Sequence, residues 1–340
     1  MKQILVILAV ISLFIPGTIL ADEGNEVVVY TSLNPDETLQ YAKAAEAATG
    51  LKVQYRRMST GIIAAKLLAE RKNPQADAVW GWGITYLRDF ADRGFFVPYL
   101  PKDGDKLPAK FRDPNNLWFA QHMYLSAFAV NTEKLKEYNL PMPTSWVDLT
   151  KPIYKGHVIM PNPASSGTGF IMVAGMLETL DPDYDKKIVK ENKAWDFLEK
   201  LDKNMAQYIR SGSRPAKFAA KGECVVGASF IFQIADLKKE GKPVELVLPA
   251  EGCAYELGAN ALLKGAKHPN NAKKFLDWAM SDENMKLMAA RKVAVTKPGI
   301  NPTRKDLPRL NELKLIPMDF EWQSANRGDI LITWQDKFLR

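Results

Sequence analysis

A chain of 340 residues, 46 % hydrophobic and 25 % charged, can bury a sizeable core and has room for two domains. Its formal charge of +7 is scattered over helical faces beside acids, as in Asp185-Lys186-Lys187, and no basic run is interleaved with aromatics. That pattern excludes a nucleic-acid binder and leaves a mild positive field, suited to a small anionic ligand or to an ordinary solvated surface.

The N-terminus reads as a targeting segment. Lys2 precedes an apolar run from Ile4 to Phe14, Pro16-Gly17 interrupts it, and Ala21 stands before the acidic Asp22-Glu23. A short apolar run with these flanks predicts a cleavable signal peptide over residues 1–21 in preference to a membrane anchor. No cysteine lies near the cleavage point, which excludes lipid attachment there, and no later segment is apolar enough to span a bilayer. The expected mature protein is exported and soluble.

From Glu26 the pattern is strand then helix. Val27-Val28-Val29-Tyr30 is a continuous apolar run, as in a parallel sheet covered on both faces. Thr31 to Pro35 turns the chain into a helix over 36–48, which Gly50 ends. Lys52 to Tyr55 is a second strand and Met58-Ser59-Thr60-Gly61 opens a second helix. Ala76 to Trp80 is a third strand running into Gly81-Trp82-Gly83. His157 to Met160 reads as a further strand and Phe170 to Leu180 as a mostly buried helix. Each of these strand-to-helix loops falls at the carboxyl edge of an open parallel sheet, where ligands bind.

The richest loop is Pro161 to Gly169, with Ser165, Ser166 and Thr168 interleaved with Gly167 and Gly169. The first N–H groups of a helix lack intrahelical partners and the helix dipole is positive there. Glycines admit close approach and hydroxyls add donors, a combination that makes a pocket for phosphate or carboxylate. An ordinary N-cap would use the same residues.

Val28-Val29-Tyr30-Thr31-Ser32, Val130-Asn131-Thr132-Glu133-Lys134-Leu135, Pro143-Thr144-Ser145-Trp146, Tyr154-Lys155-Gly156, Pro161 to Gly169 and Tyr255 to Ala261 together resemble one family. It is the ferric-iron-binding and hexose-phosphate-binding branch of the periplasmic substrate-binding proteins of ABC importers. The resemblance covers nearly all of the mature chain. It implies an α/β type 2 periplasmic binding fold, two lobes joined by two crossover strands with a ligand cleft between. Lobe one would be residues 25–127 plus 258–340, with the tail after Lys297 wrapping it, and lobe two 128–257. The strand-like runs Ser126 to Val130 and Gly258 to Leu263, which bracket a self-contained αβ segment, support that division independently. The implied role is a periplasmic receptor, expected to be a monomer, that passes a small anionic solute to an inner-membrane permease. A phosphate ester or phosphonate fits best, with no metal, no cofactor and no covalent chemistry.

Site residues expected from the first lobe are Thr31, Ser32, Ser59, Thr60 and Trp82, and from the second Ser165, Ser166, Gly167, Thr168, Ser229 and Phe230. Glu256 matches a family position able to accept from hydroxyls or an amine. Trp80 is a further candidate for the cleft wall, and Ser211, Ser213, Arg214 and Lys217 for its charge. Ferric binders of the family use two adjacent tyrosines. This chain has no Tyr-Tyr, its Tyr30, Tyr208 and Tyr255 are scattered, and iron ranks below an organic anion. Where the hexose-phosphate branch places a His-Asp pair, this chain aligns Phe232-Gln233, which weakens the case for a hexose and leaves the phosphate pocket intact. A secreted hydrolase is the competing class. However, there is no G-x-S-x-G elbow, no H-E-x-x-H and no Walker loop, and no histidine is placed to serve Ser165 or Ser166 as a base. Cys224 and Cys253 are an even pair, which in an oxidising compartment predicts one disulfide.

Overall fold

The computed structural model describes residues 24–338, so the signal peptide expected over residues 1–21 lies outside the described residues. Strand β1 (Glu26–Thr31) leads through α1 (Pro35–Thr49) to β2 (Lys52–Arg57), and α2 (Thr60–Ala69) leads to β3 (Ala78–Gly83). Helix α3 (Ile84–Asp92), β4 (Phe96–Val97) and the long β5 (Phe119–Asn131) follow, then α4 (Thr132–Glu137) and β6 (Val158–Pro161). Next come α5 (Gly167–Leu180), α6 (Ala194–Asp202), β7 (Met205–Ile209), α7 (Arg214–Ala220), β8 (Val226–Phe230), α8 (Ile231–Lys239) and β9 (Val244–Val247). Strand β10 (Tyr255–Leu263) precedes α9 (Pro269–Ala279), α10 (Asp282–Ala289), α11 (Phe320–Ala325) and α12 (Arg327–Phe338). None of the described helices is long and apolar enough to cross a membrane.

The strands lie in the order β2-β1-β3-β10-β5-β8-β6-β7, with β4 beside β10 and β9 beside β5. Strand β5 is the spine. Up to Leu125 it pairs antiparallel with β10, and from Ser126 it pairs with β8, with β9 joining from Phe128. One strand therefore serves two sheets, and β10 returns the chain beside it. This is the α/β two-lobed architecture with two crossover strands. The valine-rich β1 runs parallel to β2 and β3, and β6 runs parallel to β7 and β8. Their carboxyl ends carry the loops picked out by sequence.

Local chemistry sets the boundaries. Pro35 starts α1 with a preset φ, Glu37 reaches back to the Asn34 N–H, and Gly50 closes the helix at φ 70°. One apolar cluster gathers round Val29, Trp80, Phe275 and Trp278, and a second round Phe128, Phe170, Trp195 and Trp334. The tail wraps the first lobe only in part: Ile300, Leu310 and Leu313 pack against the first cluster and α11 lies against α3, but the residues beyond turn to the second. Leu307 belongs to the first cluster, but Ile316, Met318, Trp322, Ile330, Trp334 and Phe338 belong to the second. Trp334 sets its edge on Tyr208 at 5.1 Å. Burying these aromatics outweighs staying with the first lobe.

The disulfide is not formed: Cys224 and Cys253 are free and buried. Topology explains this. Val225, next to Cys224, accepts from the Asn131 N–H, and Ala254, next to Cys253, accepts from the Ser126 N–H. Five strand residues at about 3.3 Å each keep the cysteines roughly 16 Å apart, against the ~7 Å limit between Cα atoms for a bridge. Burial pushes the thiols up, Cys224 to about 12 and Cys253 to about 11, so neither is a ready nucleophile. Thiol titration of unreduced protein should find no reactive group when native and two when denatured. None in denaturant would restore the disulfide.

Candidate functional site

Four helices begin at one point between the lobes. Thr60 opens α2, Gly83 caps α3, Gly167 and Thr168 start α5, and Phe230 caps α8. All five residues line a single small cavity of about 20 Å3, together with Ser32, Tyr124, Ile171 and Glu256. Each helix N-terminus brings unpaired N–H groups and a partial positive charge. The volume is about that of one water molecule. The lobes meet directly beside it, where the Gly61 N–H donates to the Ser165 carbonyl at 3.2 Å.

Of the four N-termini, that of α3 is answered by a carboxylate of the protein. The Glu256 carboxylate accepts from the Thr85 N–H at 3.2 Å and from Thr85 Oγ1 at 2.6 Å, in the first turn of α3. Only glycine fits around that carboxylate, because a Cβ on Gly83 or Gly167 would press on it at 2.5 to 3.0 Å. Burial pushes the Glu256 carboxyl up, while the Thr85 bonds and the Arg327 charge pull it down. The N-termini of α2, α5 and α8 also reach the cavity, with the Gly61 N–H of α2 taken by the Ser165 carbonyl and the Gly169 N–H of α5 by Ser166 Oγ.

The hydroxyls divide by task. Thr168 lines the cavity and makes no hydrogen bond with another described residue, whereas Ser166 is buried and accepts from the Gly169 N–H at 3.4 Å as the cap of α5. Ser32 reaches the cavity while donating to the Gly81 carbonyl at 2.8 Å. Thr31 accepts from the Leu33 N–H, Ser229 donates to the Gly212 carbonyl behind Thr168, and Ser165 donates to the Asn162 and Arg210 carbonyls. These three and the half-buried Ser59, the cap of α2, support the loops without lining the cavity.

Aromatic placement departs from the sequence reading. Trp80 is core, set against Tyr41, Phe275 and Trp278. Trp82 is fully buried, donates to the Thr60 carbonyl at 3.1 Å and stacks on Tyr86 at 5.3 Å. Of the expected aromatics Phe230 lines the cavity, joined by Tyr124, and their rings lie 5.3 Å apart. Phe232 covers Lys292, with Nζ 3.7 Å from the ring centre, and Gln233 accepts from Asn34 Nδ2 at 2.6 Å, so the pair aligned with His-Asp serves the lobe contact. Lys217 pairs with Asp36 at 2.9 Å and Ser211 bonds Ser213 at 3.3 Å; neither these residues nor Arg214 lines the cavity.

Sequence reasoning missed Tyr124, Thr85, Tyr86 and Arg327. Tyr124 sits inside a long buried strand, and Arg327 arrives from the far end of the chain. The tyrosines weighed for iron do not meet: Tyr30 donates to Glu70, Tyr208 donates to Asp202, and Tyr255 packs on Phe320. Among the described residues no three His, Cys, Asp or Glu side chains gather to hold a metal ion. A larger hollow of about 1100 Å3 is lined by residues within 293–312 and brings no α-helix N-terminus.

A family model described as bacterial extracellular solute-binding protein matches residues 82–320. An uncharacterised protein of Haemophilus influenzae is 35 % identical over 313 residues, 90 % of this chain and 88 % of that one. The periplasmic binding protein AfuA from Actinobacillus pleuropneumoniae, solved with exogenous fructose-6-phosphate bound, is 33 % identical with a TM-score of 0.84. That match covers 92 % of this chain and 98 % of AfuA. A putative 2-aminoethylphosphonate-binding periplasmic protein of Salmonella typhimurium is 26 % identical, over 69 % of this chain and 66 % of that one.

Proposed function

The chain belongs to the bacterial extracellular solute-binding proteins, the periplasmic receptors of ABC importers, and on that premise we propose that its ligand is a small phosphorylated or phosphonate solute. The observation that carries this reading is the meeting of the α2, α5 and α8 N-termini at one cavity with the unengaged Thr168 hydroxyl. Amide and hydroxyl donors suit a phosphate because several can surround its oxygens, and the dipoles supply positive potential without a full counter-charge. Thr60 and Ser32 approach from the first lobe, Gly167 and Thr168 from the second, with Glu256 accepting from a hydroxyl or amine at the ligand's other end. Fructose-6-phosphate, bound in AfuA, and 2-aminoethylphosphonate, after which the Salmonella relative is named, each carry both features.

The lobes lie closer than an organic phosphate allows. The ligand therefore enters an opened cleft and holds the lobes apart by its own width, by the hinge closure expected of this fold. We assign the first lobe to residues 25–127 and 258 to about 313, and the second to 128–257 together with the C-terminal helices that complete its core. The receptor acts in the periplasm as a monomer, after removal of its signal peptide, and hands its solute unchanged to the permease. No cofactor takes part.

A thermal-shift panel tests the ligand class. A ligand at 100 times its Kd stabilises by about 2.7 kcal/mol. Fructose-6-phosphate, 2-aminoethylphosphonate or a related phosphate ester should raise the melting temperature. A rise with ferric citrate or spermidine alone would refute the reading.

A further inference from the structure

Arg327, the first residue of α12, is only 4 % exposed and lies between the lobes. Its guanidinium carbon sits 3.2 Å from the ring centre of Tyr86, on α3, and 3.7 Å from that of Phe170, on α5. Trp82 stacks on the Tyr86 ring, so a column of ring, ring, cation and ring crosses from one lobe to the other. Nη1 donates to Thr85 Oγ1 at 2.8 Å, and that hydroxyl donates on to Glu256. Nε and Nη2 have no partner among the described residues. Glu256 thus bonds to the cation only through Thr85, and otherwise acts on it by charge alone.

We propose that Arg327 is an interlobe clasp that makes closure depend on negative charge in the cleft. Closing the lobes strips water from the guanidinium and leaves two donors unsatisfied. Taking an ion out of water costs more than two ring faces return. The balance comes from an anionic group in the adjoining cavity, whose lining residues Thr168, Ile171 and Glu256 flank Phe170 and Thr85. A neutral analogue supplies nothing against that penalty, so the same arginine sets selectivity for charged over uncharged solutes. Arg327 is a positioning residue, acting on the ligand through its charge and on Glu256 through Thr85. The selectivity role rests on the anionic-ligand reading above, while the clasp itself does not.

Two measurements on Arg327→Met and Arg327→Lys separate these claims. Small-angle scattering of ligand-free protein reads the clasp alone. Arg327→Met, which keeps bulk and loses charge, should be more compact than wild type, while Arg327→Lys should scatter as wild type does. Identical scattering of Arg327→Met and wild type, or a more open Arg327→Met, overturns the clasp. Calorimetry with fructose-6-phosphate and with fructose reads selectivity. The preference for the phosphate ester should fall at least tenfold in Arg327→Met and stay within about threefold of wild type in Arg327→Lys. An unchanged preference in Arg327→Met overturns the selectivity role. Wild-type protein that binds neither fructose-6-phosphate nor 2-aminoethylphosphonate counts against the ligand class and leaves the scattering result to judge the clasp.

Discussion

Glu37→Gln should lower the unfolding free energy by about 3–5 kcal/mol, the usual effect of removing one partner of a buried ion pair. Glu37 and Lys292 are both fully buried, with Oε1 and Nζ 2.5 Å apart. Burial pulls the Lys292 amine below its ordinary range, and Glu37 is the main group holding it up. Glutamine keeps the length of the side chain and the bond to the Asn34 N–H that caps α1, so the change isolates the charge. Lys292 would be left facing the Phe232 ring with no acid in contact, Asp236 acting on it by charge alone. The double variant Glu37→Gln/Lys292→Met should recover much of the loss, because replacing a whole buried pair is often neutral. Equilibrium urea unfolding of the three proteins checks both statements. A loss under about 1 kcal/mol in the single variant would show that the pair is not held as described.

Thr168→Val should weaken binding of the phosphorylated ligand about ten- to a hundredfold, since a hydrogen bond to a charged group contributes about 1.5–3 kcal/mol. Thr168 lines the cavity, its Oγ1 lies against Gly212 and no described residue is hydrogen-bonded to it, so the free protein should lose little stability. Ser166→Ala should behave in the opposite way. From sequence, both hydroxyls were expected to bind ligand, but the Ser166 oxygen is engaged as the α5 cap. Losing that cap costs about 1 kcal/mol of stability with affinity nearly kept. Affinity and ligand-free stability measured on both variants decide the assignment. Unchanged affinity in Thr168→Val would remove the α5 N-terminus from the site.

The alternation of strand and helix was legible because Val27 to Tyr30, Ala76 to Trp80 and His157 to Met160 are apolar runs that only a covered sheet accommodates. Placing Ser32, Thr60, Gly167 and Thr168 at one edge followed from that alternation, whereas Phe230 and Glu256 came from the family resemblance. What escaped is set by three-dimensional packing. Trp82 looked like a cleft wall, but its ring turned to Tyr86. The even cysteine count suggested a bond, but β5 holds the two sites apart. Arg327 stands in a proline-punctuated tail with no motif around it. Only the docking of Trp334 and Phe338 on the second lobe carries it to the seam.

The central claim is that the cleft takes a phosphorylated or phosphonate solute, and isothermal titration of the purified mature protein tests it most directly. Titrated with fructose-6-phosphate and 2-aminoethylphosphonate, wild-type protein should bind at least one saturably with one site per chain, and Thr168→Val should weaken that binding tenfold or more. Saturable binding of ferric citrate or spermidine, with neither phosphorus compound bound, would contradict the account.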